Sequence, residues 1–223
     1  KPEILDEDEP ERVATAIAYL DLRHAVITSV NRDELPDGGA KIFARTIEAV
    51  HRQCPNTTIE VLIPDFKGDW TALGTVMAAA PDILNHNIES PPRLYYKMRP
   101  QAQYERSLEL LDRARKLSPA PTKSGMMLGA GETEEEIATS IRDLADVGCS
   151  ILTLGQYLSP SAQHVQVERF VHPDEFIQWR EFAIELGFRH VESGPLVRSS
   201  YHAAEQVDQA VAADPLLSIE TAP

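Results

Sequence analysis

Short apolar runs rich in β-branched residues alternate along the chain with stretches whose apolar residues recur every three to four positions. These are the periods of buried strands and of one-faced helices. Ala25, Val26 and Ile27 form the first run, and residues 59–63, 82–88, 123–128, 150–154 and 188–192 supply five more. A helical stripe through Val13, Ile17 and Leu20 precedes the first run, with Pro10 placed for a helix start. Between the runs lie stripes through Phe43, Ile47 and Val50, through Leu73, Val76 and Met77, through Tyr104, Leu108 and Leu111, through Ile137, Ile141 and Leu144, and through Phe176, Trp179 and Ala183. Thr71 is the expected cap of the third helix, Thr133 with Glu136 spells a capping box, and Gly148 and Gly187 stand where helices end. Strands alternating with helices of this kind predict an α/β fold with a parallel sheet and right-handed crossovers. Five or six such units favour a barrel or partial barrel over a doubly wound sheet.

Polar residues crowd the carboxyl ends of the runs, where ligands sit in such folds. The first run passes into Thr28, Ser29, Asn31, Arg32 and Asp33, the third into Asn85, His86 and Asn87, and the fifth into Gln156 and Tyr157. With Glu89, Lys123, Ser124, Glu132 and Arg198-Ser199-Ser200-Tyr201 they predict a polar mouth that orients a ligand through hydrogen bonds. No Ser-His-Asp order and no nucleophile with its base stands out, so a cofactor would carry the difficult chemistry. Blander readings stay open: Asn85-His86-Asn87 as a self-satisfied turn, Lys123 as an exposed edge residue, Arg198 to Tyr201 as a helix cap.

Charge and composition narrow the partners. A net charge of -14 without any Lys/Arg cluster argues against nucleic acid. No apolar run approaches the roughly 20 residues that span a bilayer, so no membrane partner is expected and the protein reads as soluble and cytoplasmic. Gly129-x-Gly131 lacks a third glycine and is followed by acidic residues, which excludes the dinucleotide fingerprint. Histidines 24, 51, 164, 172, 190 and 202 show no metal-ligand spacing, and Cys54 and Cys149 lie too far apart for a local metal motif.

Several words of the chain, in order, resemble the lipoyl synthase family of radical S-adenosylmethionine enzymes. They are Val26 to Val30 with Arg32-Asp33 and Leu35 to Gly39, Ile59 to Leu62 with Pro64-Asp65-Phe66, Asn85 to Glu89, Lys123-Ser124-Gly125 through Gly131-Glu132-Thr133, Leu152 to Leu158, and Gly194-Pro195 through Tyr201. The resemblance implies a partial (β/α)6 barrel of the radical SAM type over 1–204, with a C-terminal helix and tail over 205–223. It implies sulfur insertion into an octanoyl chain on a lipoyl carrier domain, two 4Fe-4S clusters, and S-adenosylmethionine held by Thr28, Ser29, Asn85, Asn87, Lys123, Gln156 and Tyr157. It also implies a serine ligand to the auxiliary cluster, assigned to Ser200 ahead of Ser199, and a mitochondrial location if the source is eukaryotic.

The family's Cys-x3-Cys-x2-Cys and Cys-x4-Cys-x5-Cys motifs are absent from residues 1–223. Thiolates hold such clusters. The expectation is therefore a segment ahead of Lys1 that carries the cysteines and the first barrel strand, and a chain that is inactive by itself and prone to associate through the edge of strand 24–30. A barrel that has lost its clusters and only binds S-adenosylmethionine or a lipoyl carrier domain is the alternative.

Overall fold

Six parallel strands, hydrogen-bonded in strict chain order, form the single sheet of the computed structural model, which describes residues 4–201 and 203. They are β1 (His24–Thr28), β2 (Thr58–Leu62), β3 (Ile83–Asn85), β4 (Thr122–Leu128), β5 (Ile151–Gln156) and β6 (His190–Gly194). Helix α1 (Glu9–Tyr19) precedes β1; α2 (Ala40–Gln53), α3 (Trp70–Ala78), the short α4 (Tyr95–Met98), α5 (Tyr104–Leu117), α6 (Glu134–Asp146) and α7 (Pro173–Glu185) lie between strands. Sequential order without a reversal is the topology of a barrel wall, and among the described residues β1 and β6 are its two edges, a partial barrel. The helix and tail expected over 205–223 lie outside the described residues.

Local chemistry accounts for most element ends. The capping box at Thr133 forms in both directions, Glu136 N to the Thr133 hydroxyl at 3.2 Å and Thr133 N to the Glu136 carboxylate at 2.8 Å. The start of α3 differs from expectation. Asp69, in extended backbone, accepts from Thr71 N at 2.9 Å and Ala72 N at 3.3 Å, because a carboxylate one residue before the helix reaches the free amides that Thr71, already inside it, cannot. The run at 82–88 pairs as a strand only over Ile83–Asn85. His86 then anchors sideways, its Nδ1 2.9 Å from Ile63 O and its Nε2 3.0 Å from Ser107 Oγ on α5. The final strand starts two residues later than expected, since Phe188 N still bonds to Ala183 O and completes the turn that ends α7.

Side-chain alternation divides every strand between two environments. The convex face carries Ile59, Val61, Leu84, Met126, Leu128, Leu152, Leu154 and Val191, buried against Ile47, Val50, Leu73, Val76, Leu110, Leu111, Ile137, Ile141 and Leu144 from the helices. The concave face follows from the strand register. One row runs Leu62, Asn85, Lys123, Ile151, His190; another runs Gly125, Thr153, Glu192; a third runs Met127, Gly155. Ile83 and Ile151 pack as a small apolar plug on this face, apart from the main core.

Candidate functional site

A buried ionic network lies within the concave face. Glu60 stands one layer below Leu62 on β2, and both it and Lys123 on β4 are fully buried. Lys123 Nζ donates to Glu60 Oε2 at 3.0 Å, and Asn85 Nδ2 donates to Glu60 Oε1 at 2.6 Å. His24 Nε2 lies 3.8 Å from Glu60 Oε2, and its Nδ1 lies 2.8 Å from Thr58 Oγ1. Burial pushes the Glu60 carboxyl up, but His24, Lys123 and Asn85 together outweigh it and hold the group below its ordinary value. Burial pulls the Lys123 ammonium down, opposed by Glu60 and Glu192. The exposed-edge reading of Lys123 is thus overturned: β4 is an interior strand, with β3 paired on one side and β5 on the other, and the Lys123 side chain has no contact with water.

Above this network the chain leaving β3 is stapled across β4. Ile88 N donates to Ser124 Oγ at 3.3 Å, Glu89 N to Gly125 O at 2.9 Å, and Met127 N to Glu89 O at 2.9 Å. Glu89 adopts φ 64, a left-handed conformation that a non-glycine residue holds only when its surroundings impose it. Burial raises its carboxyl pKa, with Arg99 and Asn87 opposing. Arg99 also fixes this segment, donating to Asn87 O at 2.7 Å. Gly125 supplies the space: a Cβ there would lie 2.5 Å from Thr153 Oγ1 and 2.9 Å from Asn87 Oδ1. The resulting cavity of about 240 Å³ is lined by Leu62, Asn87, Glu89, Gly125, Thr153, Gly155, Arg198 and Ser199, among others. Gly155 lets Val197 O close against β5 at the rim.

Two carbonyl oxygens, Asn85 Oδ1 and Asn87 Oδ1, are buried without any hydrogen-bond partner. Buried polar atoms are nearly always paired, so these two acceptors are open to a donor from outside the chain; Asn87 lines the cleft, and Asn85 lies in the network beneath it. The chemistry offered is recognition of N–H or O–H groups by a few polar atoms in a partly open cleft whose exposed wall is largely apolar.

The expected site residues divide into groups. Asn87 lines the cleft, and Asn85 and Lys123 are buried in the network within the same face. Thr28 and Ser29 line a different cavity of about 670 Å³, shared with Arg12 of α1 and Phe43 of α2; their hydroxyls donate to Leu62 O at 3.2 Å and Val30 O at 3.0 Å. Gln156, one residue past inward-facing Gly155, takes the opposite face, donating to Tyr157 O at 2.9 Å and Arg169 O at 3.1 Å and accepting from Val171 N at 2.8 Å. Tyr157 OH donates to Val165 O at 2.7 Å. Both residues therefore clamp the loop before α7 and stand apart from the cleft. Ser199 lines the cleft, whereas Ser200 is exposed in the adjoining turn. Glu60 was missed by pattern because it interrupts an apolar run; a lone carboxylate inside a strand otherwise buried on both faces was the available signal.

No group of three His, Cys, Asp or Glu residues is placed to hold a metal among the described residues. Cys54 and Cys149 are buried and unpaired with each other, and burial drives the Cys149 thiol up to about 12. Cys149 is therefore no thiolate poised for a metal. Among the described residues no helix is long and apolar enough to cross a membrane.

Comparison with known proteins places this geometry. The profile of the radical SAM superfamily matches residues 1–144. A lipoyl synthase of Roseiflexus sp. (strain RS-1) is 61% identical over 204 residues, covering 91% of this chain and 68% of its own length. A lipoyl synthase of Rubrobacter xylanophilus is 57% identical over 211 residues, covering 94% of this chain and 66% of its own. The chain thus spans about two thirds of the length of these relatives. Among solved structures, coproporphyrinogen III oxidase (HemN) from Escherichia coli, a radical SAM enzyme, superposes with a TM-score of 0.58 at 14% identity over 89% of this chain and 50% of that one. Methylornithine synthase (PylB) gives 0.58 at 12% identity over 88% and 65%. At such identities the likeness concerns the fold.

Proposed function

This chain belongs to the radical SAM superfamily and, within it, to the lipoyl synthases, and on that premise we propose that its barrel holds S-adenosylmethionine while sulfur is inserted into an octanoyl chain on a lipoyl carrier domain. The observation that carries the reading is the pair of orphaned acceptors, Asn85 Oδ1 and Asn87 Oδ1, on the concave face. S-adenosylmethionine offers the donors they lack, in its ammonium, ribose hydroxyls and adenine amino group, so the residues present fit this cofactor. Reduced by one electron in this family, it supplies a carbon radical that removes hydrogen from an unactivated C–H bond. This chain's part is to bind and orient it: Asn85 and Asn87 as acceptors, Gly125 by the space it leaves, and Glu89 and Thr153 as further wall groups. β4, β5 and the turn at Val197 wall part of the cleft, and a substrate seated on its open side would complete the exclusion of water that would quench a radical. Such a protein would work in the cytoplasm, or in the mitochondrial matrix of a eukaryote, with octanoylated carrier domains as partners.

The two 4Fe-4S clusters of the family do not fit residues 1–223. The only two cysteines are separate and buried, and the Ser200 hydroxyl is one oxygen at most. We therefore propose that residues 1–223 alone bind the cofactor without inserting sulfur. The same observation favours the second reading, a binding barrel without catalysis, for this chain in isolation.

Two measurements separate these readings. Titration calorimetry with S-adenosylmethionine should give saturable binding that Asn85→Ala weakens by roughly 1–3 kcal/mol, the range of a buried hydrogen bond to a charged or polar group. Mass spectrometry of an octanoylated lipoyl domain incubated with the chain, S-adenosylmethionine and reductant should show no added sulfur. Added sulfur would refute the inactivity of residues 1–223; absence of cofactor binding would refute the reading itself.

A further inference from the structure

We propose that Glu60 is a positioning residue: by taking the Asn85 amide through its Nδ2 hydrogens, it fixes Asn85 Oδ1 as a free acceptor on the concave face, so that this position accepts only a hydrogen-donating group of the cofactor. The inference rests on the proposed binding of S-adenosylmethionine and adds the residue that sets its polarity.

An asparagine amide can present either its oxygen or its nitrogen, and the choice follows from the surrounding network. Here a carboxylate makes the choice. Glu60 Oε1 lies 2.6 Å from Asn85 Nδ2, and Glu60 is kept ionised by Lys123 at 3.0 Å, so it has no proton with which to meet Asn85 Oδ1. Rotating the amide by half a turn would set two oxygens against each other in a site sealed from water. The consequence is visible in the structure: Oδ1 is buried and unpartnered, while both Glu60 oxygens are engaged, Oε1 by Asn85 Nδ2 and Oε2 by Lys123 Nζ. Lys123 takes part through Glu60. Both of its neighbouring carboxylates, Glu60 and Glu192, lie on the concave face, and they hold the ammonium within the network, where it keeps Glu60 an acceptor. The residues that face Glu60 from neighbouring strands are thus His24 of β1, Asn85 of β3 and Lys123 of β4.

A merely structural Glu60 and a positioning Glu60 differ in how its loss combines with loss of Asn85. The test is a double-mutant cycle on S-adenosylmethionine affinity, measured by calorimetry without reductant on the protein as its source expresses it. Glu60→Gln and Asn85→Ala should each weaken binding about 10-fold, and the double variant should bind no more weakly than Asn85→Ala alone. Binding by Glu60→Gln at the parent affinity, or about 100-fold weakening in the double variant, would overturn the proposal while leaving the cofactor site standing. Absence of binding in the parent protein would instead remove the reading on which the proposal rests.

Because Glu60→Gln leaves Lys123 without its carboxylate and can fail to fold, a second measurement uses the unaltered protein. With nitrogen-15 asparagine, the side-chain NH2 signal of Asn85 should be protected from exchange before the cofactor is added and should stay so at saturation. Loss of that protection on binding would mean that the amide turns its nitrogen to the ligand, and the proposal would fall.

Discussion

The two faces of this one sheet are both largely buried and chemically opposite. On the convex face Leu152, Leu154, Val61 and Met126 meet only other apolar groups, and the contacts are interchangeable in kind. On the concave face Glu60, Asn85 and Lys123 are tied to one another by specific pairs, Asn85 Nδ2 and Lys123 Nζ each donating to a Glu60 oxygen, while Asn85 Oδ1 is left without a partner. Period-two alternation in a strand buried on both sides is therefore a division of labour, with packing on one set of alternate positions and recognition on the other. The difference also has an energetic form. Removing part of an apolar contact forfeits a part of the burial energy, whereas removing one member of a buried ion pair leaves the other stranded.

That asymmetry gives the largest expected effect. Lys123→Met should lower unfolding free energy by about 3–5 kcal/mol, because an unpaired carboxylate remains in the barrel. Neutralising both partners, Glu60→Gln with Lys123→Met, should recover much of the loss. Urea unfolding of the two variants checks this; equal losses would show that packing, and not charge pairing, governs the concave face too.

On the convex face, Leu152→Ala should remove about 3 kcal/mol through lost burial and the cavity left behind. Affinity for S-adenosylmethionine should be unchanged, since Leu152 faces the helices. A matching fall in affinity would erase the distinction between the faces.

How much of this was legible in the chain follows the same division. The convex face and the helices announce themselves by period, because burial of apolar stripes is a local pattern that needs no partner to be recognised. The alternation of strands and helices and the capping box at Thr133 were readable that way. Partnership was not. Lys123 could be singled out from its position, but its partner Glu60 lies 63 residues away, and only the β2–β3–β4 register brings them together. Gln156 illustrates the opposite failure. It stands at a strand end with the right chemistry, yet it follows an inward-facing glycine, so alternation turns it outward, where its amide is spent on the loop at Arg169 and Val171. Thr71 failed for a finer reason: Asp69 in extended backbone was the better cap two residues earlier.

His86 tests the border between the faces through pH. It leaves the end of β3 toward α5, fully enclosed, and burial first, then Arg99 and Arg106, depress its pKa to about 4 despite the favourable Ile63 carbonyl and Asp65. The unfolded chain therefore binds a proton near the ordinary value of 6.5 that the folded chain refuses until about 4. Its neutral form contributes fully above pH 6.5 and loses ground as pH falls through that window, by up to about 3 kcal/mol. Unfolding free energies measured at intervals from pH 7 to 4 should show this slope, and His86→Gln should flatten it. An unchanged slope in the variant would assign the effect to the carboxylates.

The smallest effect is the sharpest on function. Asn87 has its main chain held by Arg99, through the bond to Asn87 O at 2.7 Å, and its side-chain oxygen has no partner. Truncation to Ala removes that acceptor and the amide's hydrogen bond to the Glu89 carboxylate, and leaves the main-chain staple across β4 in place. Asn87→Ala should therefore weaken S-adenosylmethionine binding by about 1 kcal/mol, the net worth of one hydrogen bond, while unfolding free energy stays within about 0.5 kcal/mol of the parent. Calorimetry paired with urea unfolding reads both. A stability loss as large as that of Leu152→Ala would mean that Asn87 supports the fold rather than the ligand, and the recognition role of the concave face would then rest on Asn85 alone.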